Sequence, residues 1–205
     1  MEKGWRFAGA LGPGGKAPTL GLPEVAFAGR SNVGKSSLIN RLTRTTGLAR
    51  TSRTPGRTQQ VNFFVGGLGM AFADLPGYGF ARVPDAVKAT FGPMVEGYLQ
   101  GREELRGVIV LVDSRRGLGE IDRRMLGLAE AYGRPARVVL SKADKLGQSE
   151  RSRVRRETAK VCEGALLFSV LTGEGVEEVW DVLRDWAGLS RKACGDASAD
   201  GRSDG

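Results

Sequence analysis

A strand, a glycine-rich loop and a helix follow one another from Glu24, strand and helix patterns then alternate to about Gly188, and several apolar runs lack a polar face. Together these predict an α/β fold. The form expected is a three-layer sandwich, with a mostly parallel six-stranded sheet, one antiparallel edge strand and helices on both faces. Glu24–Ala28 is the first strand, and Ser37–Leu42 begins the first helix. Val61–Val65 and Met70–Ala73 flank Gly66-Gly67-Leu68-Gly69 and predict a hairpin. Val108–Val112 and Arg137–Leu140 read as central parallel strands buried on both faces, and Leu166–Phe168 as the last strand. Helices are predicted near residues 86–101, 119–132, 150–162 and 174–187. The last sets Val176, Val179, Trp180, Leu183 and Trp186 on one face, which makes both tryptophans core residues. Residues 1–21 read as a flexible or extended Gly/Pro-rich lead, 22–188 as one domain, and 189–205 as a disordered polar tail.

At 205 residues the chain can build one such core without disulfides or metal staples. Cys162 and Cys194 fit no C-x-x-C spacing, which suits a reducing compartment. No apolar run has membrane-spanning length and no cleavable leader is evident, so a cytoplasmic monomer with no membrane partner is expected. Histidine is absent, which excludes an imidazole base or metal ligand. The net charge of +8 is unevenly spread. From Val25 through Ala73 there is no Asp or Glu, yet Arg30, Lys35, Arg41, Arg44, Arg50, Arg53 and Arg57 lie there. That exceeds the need of one triphosphate and points to a polyanionic partner. A second basic run, Arg151, Arg153, Arg155, Arg156 and Lys160, reads equally as such a surface or as a solvated helix face.

Gly29-Arg30-Ser31-Asn32-Val33-Gly34-Lys35-Ser36 matches G-x-x-x-x-G-K-[ST] in its required setting between strand and helix, which makes the sandwich the P-loop NTPase form. Gly29 and Gly34 allow turns that aim backbone N–H groups at phosphates, and the helix adds its positive end. Lys35 can reach the β- and γ-phosphates, Ser36 can ligate Mg2+, and Ser37 can donate to the α-phosphate. Asp74-Leu75-Pro76-Gly77 follows a strand, where Asp74 can hold the same Mg2+ through water and the Gly77 N–H can meet the γ-phosphate. Ser141-Lys142-Ala143-Asp144 resembles the base-recognition pattern [NT]-K-x-D. The Asp144 carboxylate can accept from guanine N1–H and N2–H2 together, while adenine offers no such pair, so GTP is favoured over ATP. Lys142 can lie along the purine, and Phe168-Ser169-Val170 stands where a backbone N–H can meet guanine O6, although the motif is loose. Thr51–Thr58 is polar, basic and aperiodic, and reads as a loop whose threonine closes on Mg2+ and the γ-phosphate; Thr58 is the better placed and Thr54 the alternative.

The sequence resembles the EngB family of ribosome-biogenesis GTPases, in the TrmE-Era-EngA-EngB-septin group. Leu22–Asn40 (LPEVAFAGRSNVGKSSLIN), Thr51–Gln59 (TSRTPGRTQ), Asn62–Phe64 and Asp74–Gly79 (DLPGYG) carry the resemblance, which extends over roughly residues 22 to 187. It implies a small cytoplasmic GTPase that assists late assembly of the large ribosomal subunit, with precursor rRNA or ribosomal protein as partner, and whose loss disturbs cell division and septation. It also implies that Thr58 ligates Mg2+ and that Gly56, Arg57, Thr58, Gln59 and Gln60 line the nucleotide. Ser141 departs from the usual threonine, a conservative change. Where many GTPases carry a water-orienting glutamine after D-x-x-G, this chain has Tyr78, so intrinsic hydrolysis should be slow. Asn32 matches a residue that holds K+ against the phosphates in related GTPases. Lys35, Thr58, Gly77 and Asn32 are therefore the catalytic candidates, and Ser36, Thr58 and Asp74 the metal ligands. Two other readings are an RNA-binding assembly module in which nucleotide only gates binding, and an ATP-using P-loop kinase or ATPase, which Asp144 disfavours.

Overall fold

The computed structural model describes residues 4–49, 60–66, 68–79 and 85–189, with side chains throughout except over 85–91. Its strands are β1 (Arg6–Leu11), β2 (Glu24–Gly29), β3 (Val61–Gly66), β4 (Met70–Asp74), β5 (Leu105–Asp113), β6 (Ala136–Ser141) and β7 (Leu166–Leu167). Its helices are α1 (Lys35–Leu42), α2 (Asp85–Gly101), α3 (Glu120–Ala131), α4 (Gln148–Ala159) and α5 (Val176–Trp186). One seven-stranded sheet runs in the order β1-β3-β4-β2-β5-β6-β7.

The expected fold class holds, with one strand more than the six expected. β3 is antiparallel to β4, as the hairpin requires, but β1 pairs antiparallel with β3 and takes the edge from it. Thus part of the lead expected to be flexible or extended is a strand. Its alternation is broken by a register shift between Phe7 and Gly9, where Gly9 has φ 146°, and this hides it in the sequence. Trp5, just before it, stacks on Phe72 with ring centroids 4.2 Å apart and covers Gly66, where a Cβ would stand 2.4 Å from the indole. The tail after Leu189 lies outside the described residues.

Both faces of β2 are buried, and its period of two divides them. Val25 and Phe27 join Leu38, Ile39 and Leu42 of α1 and Val179, Trp180 and Leu183 of α5 on one side. Ala26 and Ala28 join Val95 and Leu99 of α2, Met125 and Leu126 of α3 and Val154 of α4 on the other. Trp180 is buried as expected, and Trp186 packs at the margin of the same cluster. The parallel register of β4, β2, β5 and β6 brings Asp74, Gly29, Asp113 and Ser141 to one edge of the sheet, the carboxyl ends of its strands. In doubly wound sheets that is the edge where ligands bind.

Candidate nucleotide-binding site

The loop leaving β2 has the backbone of an anion nest, in which left-handed residues turn successive N–H groups inward. Asn32 has φ 61° and Gly34, the N-cap of α1, has φ 108°. Only glycine takes the second value without strain. Gly29 is needed for a different reason: a Cβ there would stand 2.9 Å from both the Leu111 carbonyl oxygen and Val33 Cγ1. The first turn of α1 has no side-chain cap and no acidic residue, so its N–H groups and positive end are open to an anion.

Lys35 forms an ion pair with Asp74, which is 5 % exposed at the end of β4. A cation at the first position of α1 and a buried carboxylate at the end of β4 therefore meet beside the nest. Beyond Asp74 the chain continues along β2 and the loop. Leu75 N–H donates to Phe27 O at 3.0 Å, Tyr78 N–H to Gly29 O at 3.3 Å, and Ser31 N–H to Tyr78 O at 3.1 Å. This fixes Leu75, Pro76 and Gly77 beside the phosphate loop. A Cβ on Gly77 would lie 2.7 Å from Ser31 Oγ, so any side chain there would have to displace that hydroxyl.

Tyr78 points away from the loop. Its hydroxyl donates to Asp122 Oδ1 at 3.1 Å, and Asp122 Oδ2 accepts from Gly119 N–H at 3.0 Å at the start of α3. Burial first, and then the neighbouring carboxylate, push the Tyr78 phenol well above its ordinary range, so it is a neutral donor.

The base-recognition segment begins at Ser141, whose buried hydroxyl donates to the Val33 carbonyl at 2.7 Å and lies 3.2 Å from that of Val112. The hydroxyl thus fastens β6 to the phosphate loop, which explains why serine serves where threonine is usual. Lys142 takes a left-handed turn, φ 61°, and its ammonium donates to Asn32 O at 3.2 Å and Asp113 Oδ2 at 2.9 Å. Of the three described non-glycine residues with positive φ, Asn32 and Lys142 are in this site, as expected where strained backbone has a function. Ala143 N–H donates to Phe168 O at 3.0 Å and so joins the two base loops. Ser169 Oγ donates to Asp144 Oδ1 at 2.7 Å and is the leading cause holding that carboxyl below its ordinary range. Val170, next along, is 40 % exposed.

Three residues that the motif reading passed over organise this edge. Asp113 accepts from Arg115 and Lys142, and these bonds, the Arg115 bond foremost, hold it far below the usual carboxylate range. An acid directly after the apolar run Val108–Val112 was the signal for it. Arg151, assigned to the basic run of α4, is spent on the site. It donates to Ala143 O at 2.9 Å, to Leu146 O at 3.2 Å and to Glu174 Oε1 at 2.9 Å, clamping both base loops to α4. Gly175 has φ 82°, and a Cβ there would overlap the Leu167 carbonyl oxygen, at 1.9 Å. Gly56, Arg57, Thr58 and Gln59, with Thr54, lie outside the described residues. The Gln60 side chain lies against Gly12, at the end of β1.

A nest for phosphates and a carboxylate suited to guanine, set on one edge of a parallel sheet, are the working parts of a P-loop GTPase, and fold and site assign the chain to that class. Residues 24–142 match the family described as 50S ribosome-binding GTPase. Proteins described as probable GTP-binding protein EngB are similar over most of the chain. That of Syntrophus aciditrophicus is 51 % identical over 177 residues, covering 85 % of this chain and 90 % of its own. That of Trichlorobacter lovleyi is 48 % identical, covering 82 % and 88 %. The chain belongs to the EngB family of GTP-hydrolysing enzymes. A crystal structure of a probable GTP-binding protein EngB superposes with TM-score 0.68 at 23 % identity, over 82 % of this chain and all of that one, and so supports the fold. Aquifex aeolicus Era bound to GDP and aluminium fluoride gives 0.59 at 22 % identity, over 80 % of this chain and 56 % of Era. Among the described residues no helix is long and apolar enough to cross a membrane.

Proposed function

We propose that the chain is a Mg2+-dependent GTPase switch in assembly of the large ribosomal subunit, and that through this role it is needed for normal cell division and septation. The observation that carries the nucleotide reading is the meeting of Lys35 and Asp74 at the uncapped start of α1, beside Gly77. Backbone N–H groups of the loop and Lys35 would hold the phosphates, and the Gly77 N–H would read the γ-phosphate. The donor set suits Mg2+. Asp74 and the Ser36 hydroxyl offer hard oxygen, Asp74 already faces a cation in Lys35, and Thr58 is the proposed third ligand. Bound there, Mg2+ would neutralise charge between the β- and γ-phosphates.

Asp144 selects guanine, and Ser169 holds its carboxylate ionised and oriented. With Tyr78 buried against Asp122, no side chain at that position orients the attacking water, so intrinsic turnover is slow. K+ held near Asn32 would raise it. A rate in KCl equal to that in NaCl, with ribosomal particles present, would exclude that part of the reading.

Support for the ribosomal partner comes from the family description and from the exposed Arg153, Arg155 and Arg156 on α4 and Lys160 just after it, for which no ion pair is found among the described residues. Sedimentation of cell extract with GDP or a non-hydrolysable GTP analogue tests it. Co-migration with large-subunit precursors only with the analogue is the expected result, and equal migration under both would reject the switch.

A further inference from the structure

Helix α4 faces two ways. Inward, Arg151 donates to Ala143 O at 2.9 Å, to Leu146 O at 3.2 Å and to Glu174 Oε1 at 2.9 Å, so one guanidinium ties the helix to both base loops. Outward, Arg153, Arg155, Arg156 and Lys160, the C-cap, are exposed and have no ion pair among the described residues. Arg153, Arg156 and Lys160 recur at i, i+3 and i+7 and so form one stripe, turned away from the side that buries Val154 and Thr158. Arg155 stands one turn from Arg151 and Lys160 one turn from Arg156, so two pairs of like charges are i, i+4 neighbours and work against the helix. Of the acids, Glu150 accepts from the Gly147 N–H at 2.9 Å, which leaves Glu157 among the cations. Apart from Arg151, little anchors α4, because Val154 and Thr158 are its only buried side chains. Part of the guanine site therefore leans on a lightly held, self-repelling helix.

We propose that an RNA backbone docks on the outer face of α4 and that its occupancy slows release of guanine nucleotide through Arg151. The inference rests on the reading of the base loops as the guanine site. A row of arginines suits phosphate oxygens. The exposed residues of α4 include no large apolar side chain, which the centre of a protein interface would need. Phosphates beside Arg155 and between Arg156 and Lys160 cancel the two repulsions. The helix is then better ordered, and Arg151 is no longer pushed from its acceptors. The clamp acts on the base loops and not on the γ-phosphate, so GDP and GTP are retained alike. By reciprocity, bound nucleotide raises RNA affinity by the same factor.

The test follows release of labelled GDP, and of a labelled non-hydrolysable GTP analogue, from the full chain by stopped flow, with and without a short RNA duplex at low salt. In wild type the duplex should slow both releases equally by about two- to fivefold, the factor that relief of two like-charge pairs supplies. The effect should fade as salt rises. Arg153→Gln/Arg156→Gln/Lys160→Gln should bind the duplex more weakly and lose the slowing. Arg151→Met should still bind the duplex yet release nucleotide at one rate with or without it. Arg155→Gln removes the neighbour of Arg151, so its release without RNA should already be slower than that of wild type, by about twofold. No slowing in wild type, or faster release, would overturn the proposal. Slowing of the analogue alone would do the same, because it would place the coupling in the γ-phosphate segment. So would undiminished slowing in Arg151→Met, undiminished duplex binding in the triple variant, or release from Arg155→Gln as fast as from wild type. Polyglutamate that slows release where the duplex does not would overturn it in favour of an acidic protein. If wild type holds neither nucleotide, the site reading falls and takes the inference with it; if nucleotide is held and the duplex has no effect, the inference alone falls.

Discussion

Replacing Tyr78 by Phe should destabilise the protein while leaving hydrolysis nearly intact, and the two effects together decide what this residue does. The hydroxyl removed is the 3.1 Å donor to Asp122 Oδ1, and Asp122 is fully buried. Among the described residues the carboxylate then keeps the Gly119 N–H at 3.0 Å, and Oδ1 loses this donor. A hydrogen bond to a charged, buried acceptor is worth about 1.5–3 kcal/mol. A loss of ~2 kcal/mol lowers the folded-to-unfolded ratio roughly 30-fold. Equilibrium urea unfolding of the nucleotide-free protein should show a lower midpoint at unchanged slope. The double variant Tyr78→Phe/Asp122→Asn should be less destabilised than the sum of the singles, with a coupling of at least about 0.5 kcal/mol. Single-turnover hydrolysis should stay within about threefold of wild type, because the hydroxyl is committed to α3 and contributes no charge stabilisation at the phosphates. A fall in rate of about 100-fold at unchanged stability would refute this and make Tyr78 part of the chemistry.

Arg151→Met removes donors from Ala143 O, Leu146 O and Glu174 and frees both base loops from α4. GTP and GDP affinities should fall together by about tenfold, or 1.4 kcal/mol, as titration calorimetry would read. Asp144→Ala should remove the preference for GTP over ATP in competition binding, because the acceptor for the guanine N1–H and N2–H2 pair is gone while the phosphate loop is intact. Acidification should destabilise the nucleotide-free protein. Asp113 and Asp144 are held below their ordinary values, so their contribution is full above the unfolded carboxylate range near pH ~4 and is lost as pH falls through the lower native values. Asp113→Asn should be less stable at neutral pH and flatten the acid limb of a stability profile, while an unchanged limb would contradict the assignment.

Patterns that depend on neighbours in sequence were legible. The parallel core strands, the β3–β4 hairpin and all the helices fall where apolar period and turn residues put them, because each pattern is enforced by burial against the same sheet. β1 was not legible. Its bulge at Gly9 breaks the period, and its anchor, Trp5 on Phe72, is a contact between residues far apart in the chain. The site divides in the same way. The motifs name the groups proposed to touch a nucleotide, since spacing from a strand end decides which side chains reach that edge of the sheet. They miss Asp113, Arg151 and Asp122, whose bonds to Lys142, Glu174 and Tyr78 span 29, 23 and 44 positions, and whose work is to hold other groups still.

Those holding residues also explain how the loops of the site act as one. Ser141 fastens β6 to the carbonyl of Val33, Lys142 bonds the carbonyl of Asn32, and Tyr78 pairs through its backbone with Gly29 and Ser31. The base loop and the γ-phosphate loop thus both grip the phosphate loop through main-chain groups. Gly29–Gly34 is therefore one element through which a nucleotide that orders one of them reaches the others. That segment is held from both sides, so strain has few outlets there: a Cβ at Gly29 meets Leu111 and Val33, and a Cβ at Gly77 meets Ser31. Substitution of either glycine by alanine should therefore damage guanine binding and phosphate binding together, although neither position touches the base.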